Sequence, residues 1–169
     1  MKLLKQQNFW LVMVFVIMGI LFYSSSQTYT QQSQVSNLHV WLADEPGKAF
    51  FAAHTFKYAG MLENARYNYF GYMEFLLRKM AHYSIYFALG MSWFLALKNR
   101  IKQPILTAFV AWMAATGYAG MDEFHQLLTS ERTPLIQDVM LDSAGALTAV
   151  SFALLVAGII YLRHRRAKR

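Results

Sequence analysis

Four apolar runs constrain this chain more than anything else in it: "FWLVMVFVIMGILFY" (9–23), "FLLRKMAHYSIYFALGMSWFLAL" (75–97), 105–121 and 139–162. A helix needs roughly 20 mostly apolar residues to cross a bilayer core. A soluble core would show apolar positions recurring about every 3.6 or 2 residues, not in blocks. The chain therefore reads as all-α, one polytopic membrane domain over residues 1–169. Its transmembrane helices are expected at about 9–25, 75–97, 105–125 and 139–162, with an outer loop over 26–74. The first run follows Lys2 and Lys5, as a signal peptide would. However, "SSSQTYTQQ" makes a poor cleavage site, and Trp10 and Tyr23 bracket the run as interfacial anchors do. An uncleaved first helix is expected. With no cysteine, the sequence has no disulfide framework and no cysteine-based metal or nucleophile site.

Charge sets the orientation. Lys2 and Lys5, the turn "KNRIK" (98–102) and the tail "RHRRAKR" (163–169) hold ten of the sixteen Lys and Arg and none of the nine acids. Basic segments stay cytoplasmic, so both termini are expected inside the cell membrane and all the acids outside it. The net charge of +7 then marks anchors beside anionic lipid and does not call for nucleic acid.

The outer loop begins polar (24–37) and continues with aromatic and aliphatic residues mixed with charge. That composition predicts a lid of short interfacial helices, with a turn at Pro46-Gly47 and anchors at Tyr67, Tyr69, Phe70 and Tyr72.

Counting back from the basic ends fixes depth. Arg78 lies twenty residues before Lys98, Asp122 twenty after Lys102, and Asp142 twenty-one before Arg163. At about 1.5 Å per helical residue each is roughly 30 Å from the inner charges, at a common outer level. His82 lies one turn deeper. Arg78, His82 and Tyr86 follow at i, i+4, i+8 on one face; Asp122–Gln126 and Asp138–Asp142 are i, i+4 pairs. Gly145, Ala146 and Ala149 allow a close helix approach. Acids near the third helix's C-terminus oppose its dipole, as do Arg78 and Lys79 if the second helix starts beside them. Such charges are expected to compensate each other across helices, with Arg78 or Arg132 meeting the carboxylates of the third and fourth. Taken singly, Lys79, Glu131, Glu74 and His125 read as structural. The set Arg78, His82, Asp122, Glu123, Gln126, Arg132, Asp138 and Asp142 reads as a site.

These residues also carry a family likeness. "RKMAHYSIYFALG" (78–90) and "DEFHQLLTSERTPLIQDVMLDSAG" (122–145) resemble the VanZ-like family of small bacterial membrane proteins. The matching positions are Lys79, His82, Tyr86 and Gly90; Asp122, Glu123 and Gln126; Arg132; and Asp138, Asp142 and Gly145. The "SSSQTYTQQS" segment resembles the family's Gram-positive members. Two positions depart from the pattern: Glu131 stands where a small residue is usual, and Asp142 where Asn is commoner. The resemblance implies a multi-pass cell-membrane protein, and the family's namesake lowers susceptibility to the glycopeptide teicoplanin. It brings no accepted catalytic residues.

Three functions fit. The first is an outer-leaflet protein whose partners are the lipid bilayer and a lipid-linked cell-wall precursor or lipophilic glycopeptide. Its ligand-binding set is Arg78, Lys79, His82, Tyr86, Asp122, Glu123, Gln126, Arg132, Asp138 and Asp142. Here the arginines grip phosphate or carboxylate and Asp138 and Asp142 hold the arginines. The second is an intramembrane hydrolase or transferase on a lipid-linked phosphate, with His82, Glu123 and Asp142 as candidate acid–base groups and Arg132 as stabiliser. A metal version places a cation among His82 and the carboxylates, but "DEFHQ" alone is a weak metal signal, and HExxH, GxSxG and phosphate loops are absent. The expectation is therefore no cofactor and no metal. The third is an assembly partner whose charges lock the bundle. A transporter fits least, since no charge reaches mid-bilayer. Binding is carried ahead of catalysis.

Overall fold

The computed structural model describes residues 2–129 and 135–167, without the side chains of 2–7 and 129. Its frame is four long helices: α1 (Lys2–Ser25), α5 (Tyr69–Leu97), α6 (Pro104–Thr129) and α7 (Ile136–Ala167). All four are long and apolar enough to cross a membrane. Each extends past the apolar run that predicts it. Two of these extensions have local causes. Asn68 caps α5 by accepting a hydrogen bond from the Gly71 amide at 3.0 Å. Pro104 opens α6, where its missing N–H costs nothing.

Between α1 and α5 lie α2 (Tyr29–Gln32), α3 (Val35–Trp41), α4 (Lys48–Ala53) and a hairpin of β1 (Phe56–Tyr58) and β2 (Met61–Glu63). The hairpin corrects the expectation of a purely helical lid. Its turn residues Ala59 and Gly60 have φ of 49° and 83°, both in the left-handed region that a two-residue hairpin turn requires. The strands are antiparallel, with Phe56 opposite Glu63 and Tyr58 opposite Met61. Tyr69 and Tyr72 also differ from expectation. They turn inward to form the lid's core with Ala65, Leu42, Phe51 and Phe56. Their hydroxyls donate to the Pro46 carbonyl at 2.8 Å and the His54 carbonyl at 3.4 Å. The cause is the early start of α5, whose first turns lie beneath the lid. Tyr67, just before that start, remains exposed.

The helix directions follow from cross-contacts. Asn8 meets Arg100 at 3.3 Å, Tyr118 donates to the Met18 carbonyl at 2.5 Å, and Ser25 meets His125 at 2.8 Å. Thus α1 and α6 run in the same direction. In the opposite direction, α5 and α7 run together from Lys79 and Asp138 down to Phe94 and Val150. The N-terminus, the 98–103 turn and the end of α7 share one end of the bundle, and the lid covers the other.

Small residues let α5 and α7 nearly touch. A Cβ at Gly145 would lie 2.5 Å from the Tyr83 carbonyl oxygen, and one at Gly90 would lie 2.9 Å from the Ala146 Cα. In lipid there is no hydrophobic drive between helices, so such close backbone packing supplies much of the attraction. Ala111, Ala115, Ala119, Ala146 and Ala149 are fully buried, while Phe9, Phe15, Phe109, Phe152 and Leu155 point outward to the lipid-facing surface. Between α6 and α7, Trp112 donates to the Ser143 hydroxyl at 2.9 Å, and Thr116 meets the same hydroxyl at 2.8 Å.

Candidate functional site

Beneath the lid, the lid-side turns of three helices bring the charged residues together. Lys79 on α5 pairs with Asp138 on α7 at 2.5 Å. His82, one turn on, meets Asp142 at 3.4 Å. On α6, Gln126 donates to Asp122 at 3.3 Å, and Glu123 accepts from the Leu135 amide at 3.0 Å, which ties α6 to the start of α7. Asp122, Glu123, Gln126 and Asp142 are all buried, and Tyr86 is fully so. Among the described residues, Tyr86 Oη, Asp122 Oδ1 and Asp142 Oδ1 are buried without a hydrogen-bond partner. No group of three His, Asp or Glu side chains among the described residues is arranged to hold a metal ion.

Arg78 departs from the expected pairing. Its guanidinium meets Glu74 of its own helix at 3.5 Å and lies 4.7 Å over the Tyr29 ring. The reason is angular: neighbouring residues on a helix lie about 100° apart. Lys79 is turned to Asp138 on α7, while Arg78 is turned to Tyr29 of the lid; His82, on Arg78's side of the helix but one turn deeper, lies below the lid and reaches Asp142. Asp138 and Asp142 therefore hold Lys79 and His82, not Arg78. Arg132 and Glu131 lie outside the described residues. The dipole argument is corrected too. The α5 helix starts at Tyr69 and α6 ends at Thr129, so Arg78, Lys79, Asp122 and Glu123 lie beyond the terminal turn where a dipole acts. Only Asp138 sits in a favourable first turn.

Two acids anchor the lid. Glu74 accepts from the Tyr29 hydroxyl at 2.8 Å and the Gln34 amide at 2.6 Å, so it holds α2 and starts α3. Asp138 accepts from the Tyr58 hydroxyl of the hairpin. Burial, reinforced by that hydrogen bond, pushes the Tyr58 phenol above the usual tyrosine range and keeps it a neutral donor. The Lys79 ammonium also lies 4.6 Å over the Tyr58 ring. His125, expected from the sequence to be structural, lies against α1. It stacks on Phe22 at 4.3 Å and meets Ser25 at 2.8 Å, which joins the lid-side end of α1 to α6.

Lid and bundle enclose a cavity of about 420 Å³. Its wall includes Arg78, Lys79, His82, Gln126 and Asp138 from the expected set. Tyr86, Asp122, Glu123 and Asp142 do not line it; they lie packed behind. Sequence reasoning missed the lid's share of the wall, which includes Tyr29, Tyr58, Glu63 and Asn68. The i, i+4 spacing of Glu74 and Arg78 was a usable signal for Glu74. Nothing local in the sequence marked Tyr58 or Glu63, because their place depends on how the hairpin docks.

A four-helix membrane bundle with a lidded, charge-lined cavity at one end is the class that fold and site define. The chain belongs to the VanZ/LLP1 family, whose sequence signature matches residues 9–157. Neither the curated proteins nor the solved structures contain a match.

Proposed function

We propose that this membrane protein binds, at the outer leaflet, the charged headgroup of a lipid-linked cell-wall precursor or of a lipophilic glycopeptide, and thereby alters susceptibility to glycopeptides such as teicoplanin. The observation that carries the reading is the cavity itself. About 420 Å³ of space lies among Arg78, Lys79, His82 and lid aromatics, at the end of the bundle away from the basic termini. Positive charge is retained on the cytoplasmic side, which supports an outward-facing cavity and two inward termini. The volume lies in the range of small-ligand pockets, enough for a headgroup or one sugar and too small for a whole glycopeptide.

Catalysis is the second reading, favoured by one feature: His82 touches the cavity and is backed by the buried Asp142, as an acid–base histidine would be. Two variants separate the readings in a susceptible Gram-positive host, at matched membrane levels. Under binding, His82→Gln and Glu123→Gln retain partial resistance that rises with expression. Complete loss in both, without rescue by overexpression, would replace binding with catalysis, since losing a general base removes about 10²–10⁴-fold of rate. No change in susceptibility on expressing the wild type would remove the antibiotic connection.

A further inference from the structure

The cavity's charges are unequally satisfied. Lys79 is fully engaged, paired with Asp138 at 2.5 Å and covered by the Tyr58 and Phe75 rings at 4.6 and 5.3 Å. Arg78 is not. Glu74 lies 3.5 Å from one of its nitrogens with no hydrogen bond between them among the described residues, and the Tyr29 ring covers one face of the guanidinium. The guanidinium lines the cavity and donates no hydrogen bond among the described residues, which leaves N–H groups suited to phosphate or carboxylate.

Glu63 is the complementary case. It is the last residue of β2, half-buried, and it lines the cavity. Among the described residues its carboxylate has no ion pair and no side-chain hydrogen bond, whereas the other two lining acids, Glu74 and Asp138, each hold a cation and a tyrosine. Among the described residues, a wall of Arg78, Lys79 and His82 against Glu63, Glu74 and Asp138 has no surplus positive charge to attract a purely anionic ligand. It does offer, among the described residues, one cation with unused donors, Arg78, and one carboxylate without an ion pair, Glu63.

We propose that the cavity is selective for a zwitterionic headgroup, with its phosphate or carboxylate on Arg78 and its primary ammonium on Glu63. This rests on the headgroup-binding reading above and names the chemistry of the ligand. The same chemistry occurs in an ethanolamine phospholipid and in an acylated amino acid or peptide bearing a free amine.

The test uses the purified full chain in detergent, with thermal shift and native mass spectrometry as readouts and three probes. These are dihexanoyl phosphatidylethanolamine, dihexanoyl phosphatidylglycerol and Nα-dodecanoyl-lysine, which carries a carboxylate and an ammonium. The two zwitterions are expected to bind about tenfold tighter than phosphatidylglycerol, the effect of one charge-assisted hydrogen bond. Glu63→Gln is expected to abolish or invert that preference, and Arg78→Gln to weaken all three probes together. Whichever zwitterion binds tighter identifies the source. Equal or tighter binding of phosphatidylglycerol by the wild type overturns the zwitterion assignment and leaves headgroup binding standing. So does a preference that Glu63→Gln leaves unchanged. Failure of every probe to bind overturns both.

Discussion

From Tyr83 inward, α5 and α7 meet backbone to backbone; from His82 outward, the same two helices meet through charged side chains. The inner seam is made of Gly90, Gly145, Ala146 and Ala149, and a single added carbon would collide with a carbonyl. The lid-side region is made of Lys79–Asp138 and His82–Asp142, and Lys79, His82 and Asp138 line the cavity beneath the lid. The seam supplies rigidity, and the charged region gives up some of it for a cavity. Close packing in the first fixes the register on which the pairs in the second depend.

The largest expected effect is therefore in the seam. Gly145→Ala places a Cβ 2.5 Å from the Tyr83 carbonyl oxygen, so the helices must separate. Overpacking of this kind costs about 1–3 kcal/mol and sometimes more. Folded yield and thermal midpoint in detergent should fall sharply, and cavity function should fall with them. Gly117→Ala, with nothing within 4 Å of its Cβ position, should leave both unchanged. Equal behaviour of the two variants would show that the α5–α7 contact does not set the register.

The next effect is in the charged region and is unequal between partners. Asp142 is only 1% exposed and keeps no alternative donor for Oδ1 among the described residues, whereas His82 reaches the cavity. Removing His82 strands a buried carboxylate, at about 2 kcal/mol; removing Asp142 leaves a histidine that can be solvated or neutral, at about 1 kcal/mol. His82→Ala should destabilise more than Asp142→Ala, and the double variant should recover about 1 kcal/mol in a thermodynamic cycle. Strict additivity would mean that the pair does not couple.

The two regions were unequally legible in the sequence. The seam was visible as Gly145, Ala146 and Ala149, because helix periodicity alone puts small residues on one face. The level of the charged residues was visible too, since helix rise converts residue number directly to depth. Which charges meet was less so. A rotation of about 100° separates Arg78 from Lys79 on the helix, and which of the two is turned to α7 depends on how the seam contact orients α5. The lid was legible only as composition. Its hairpin rests on two residues, Ala59 and Gly60, and Ala59 has no residue-type preference for φ above zero. Its docking through Tyr58 onto Asp138 joins positions eighty residues apart.

That docking gives the third effect. Tyr58→Phe removes one hydrogen bond to Asp138, which retains Lys79. The expected loss is about 1 kcal/mol, confined to the hairpin. Hydrogen–deuterium exchange should quicken over 56–63 while the interior of α5 and α7 stays protected. Faster exchange throughout the bundle would show that the lid is part of the global fold instead of a separately opening cover.

The smallest effects compare one residue type at the two ends. Arg100, at the basic end, donates to the Asn8 side chain at 3.3 Å and to the Ala96 carbonyl at 3.3 Å, in exposed or half-buried surroundings. Arg78, under the lid, faces a Glu74 that is only 5% exposed. Surface contacts of the first kind are worth less than about 0.5 kcal/mol. A partner shielded like Glu74 raises the value, but the Tyr29 and Gln34 donors still satisfy that carboxylate, so Arg78→Ala should cost no more than about 1 kcal/mol. Both variants should fold, with Arg100→Ala indistinguishable from wild type in thermal midpoint and Arg78→Ala slightly lower. Ligand response should separate them far more than stability does, because Arg78 lines the cavity and Arg100 lies at the opposite end of the helix. If Arg100→Ala weakened probe binding as much as Arg78→Ala, the two ends would be coupled through α5, and the division between a rigid seam and an adaptable charged region would have to be abandoned.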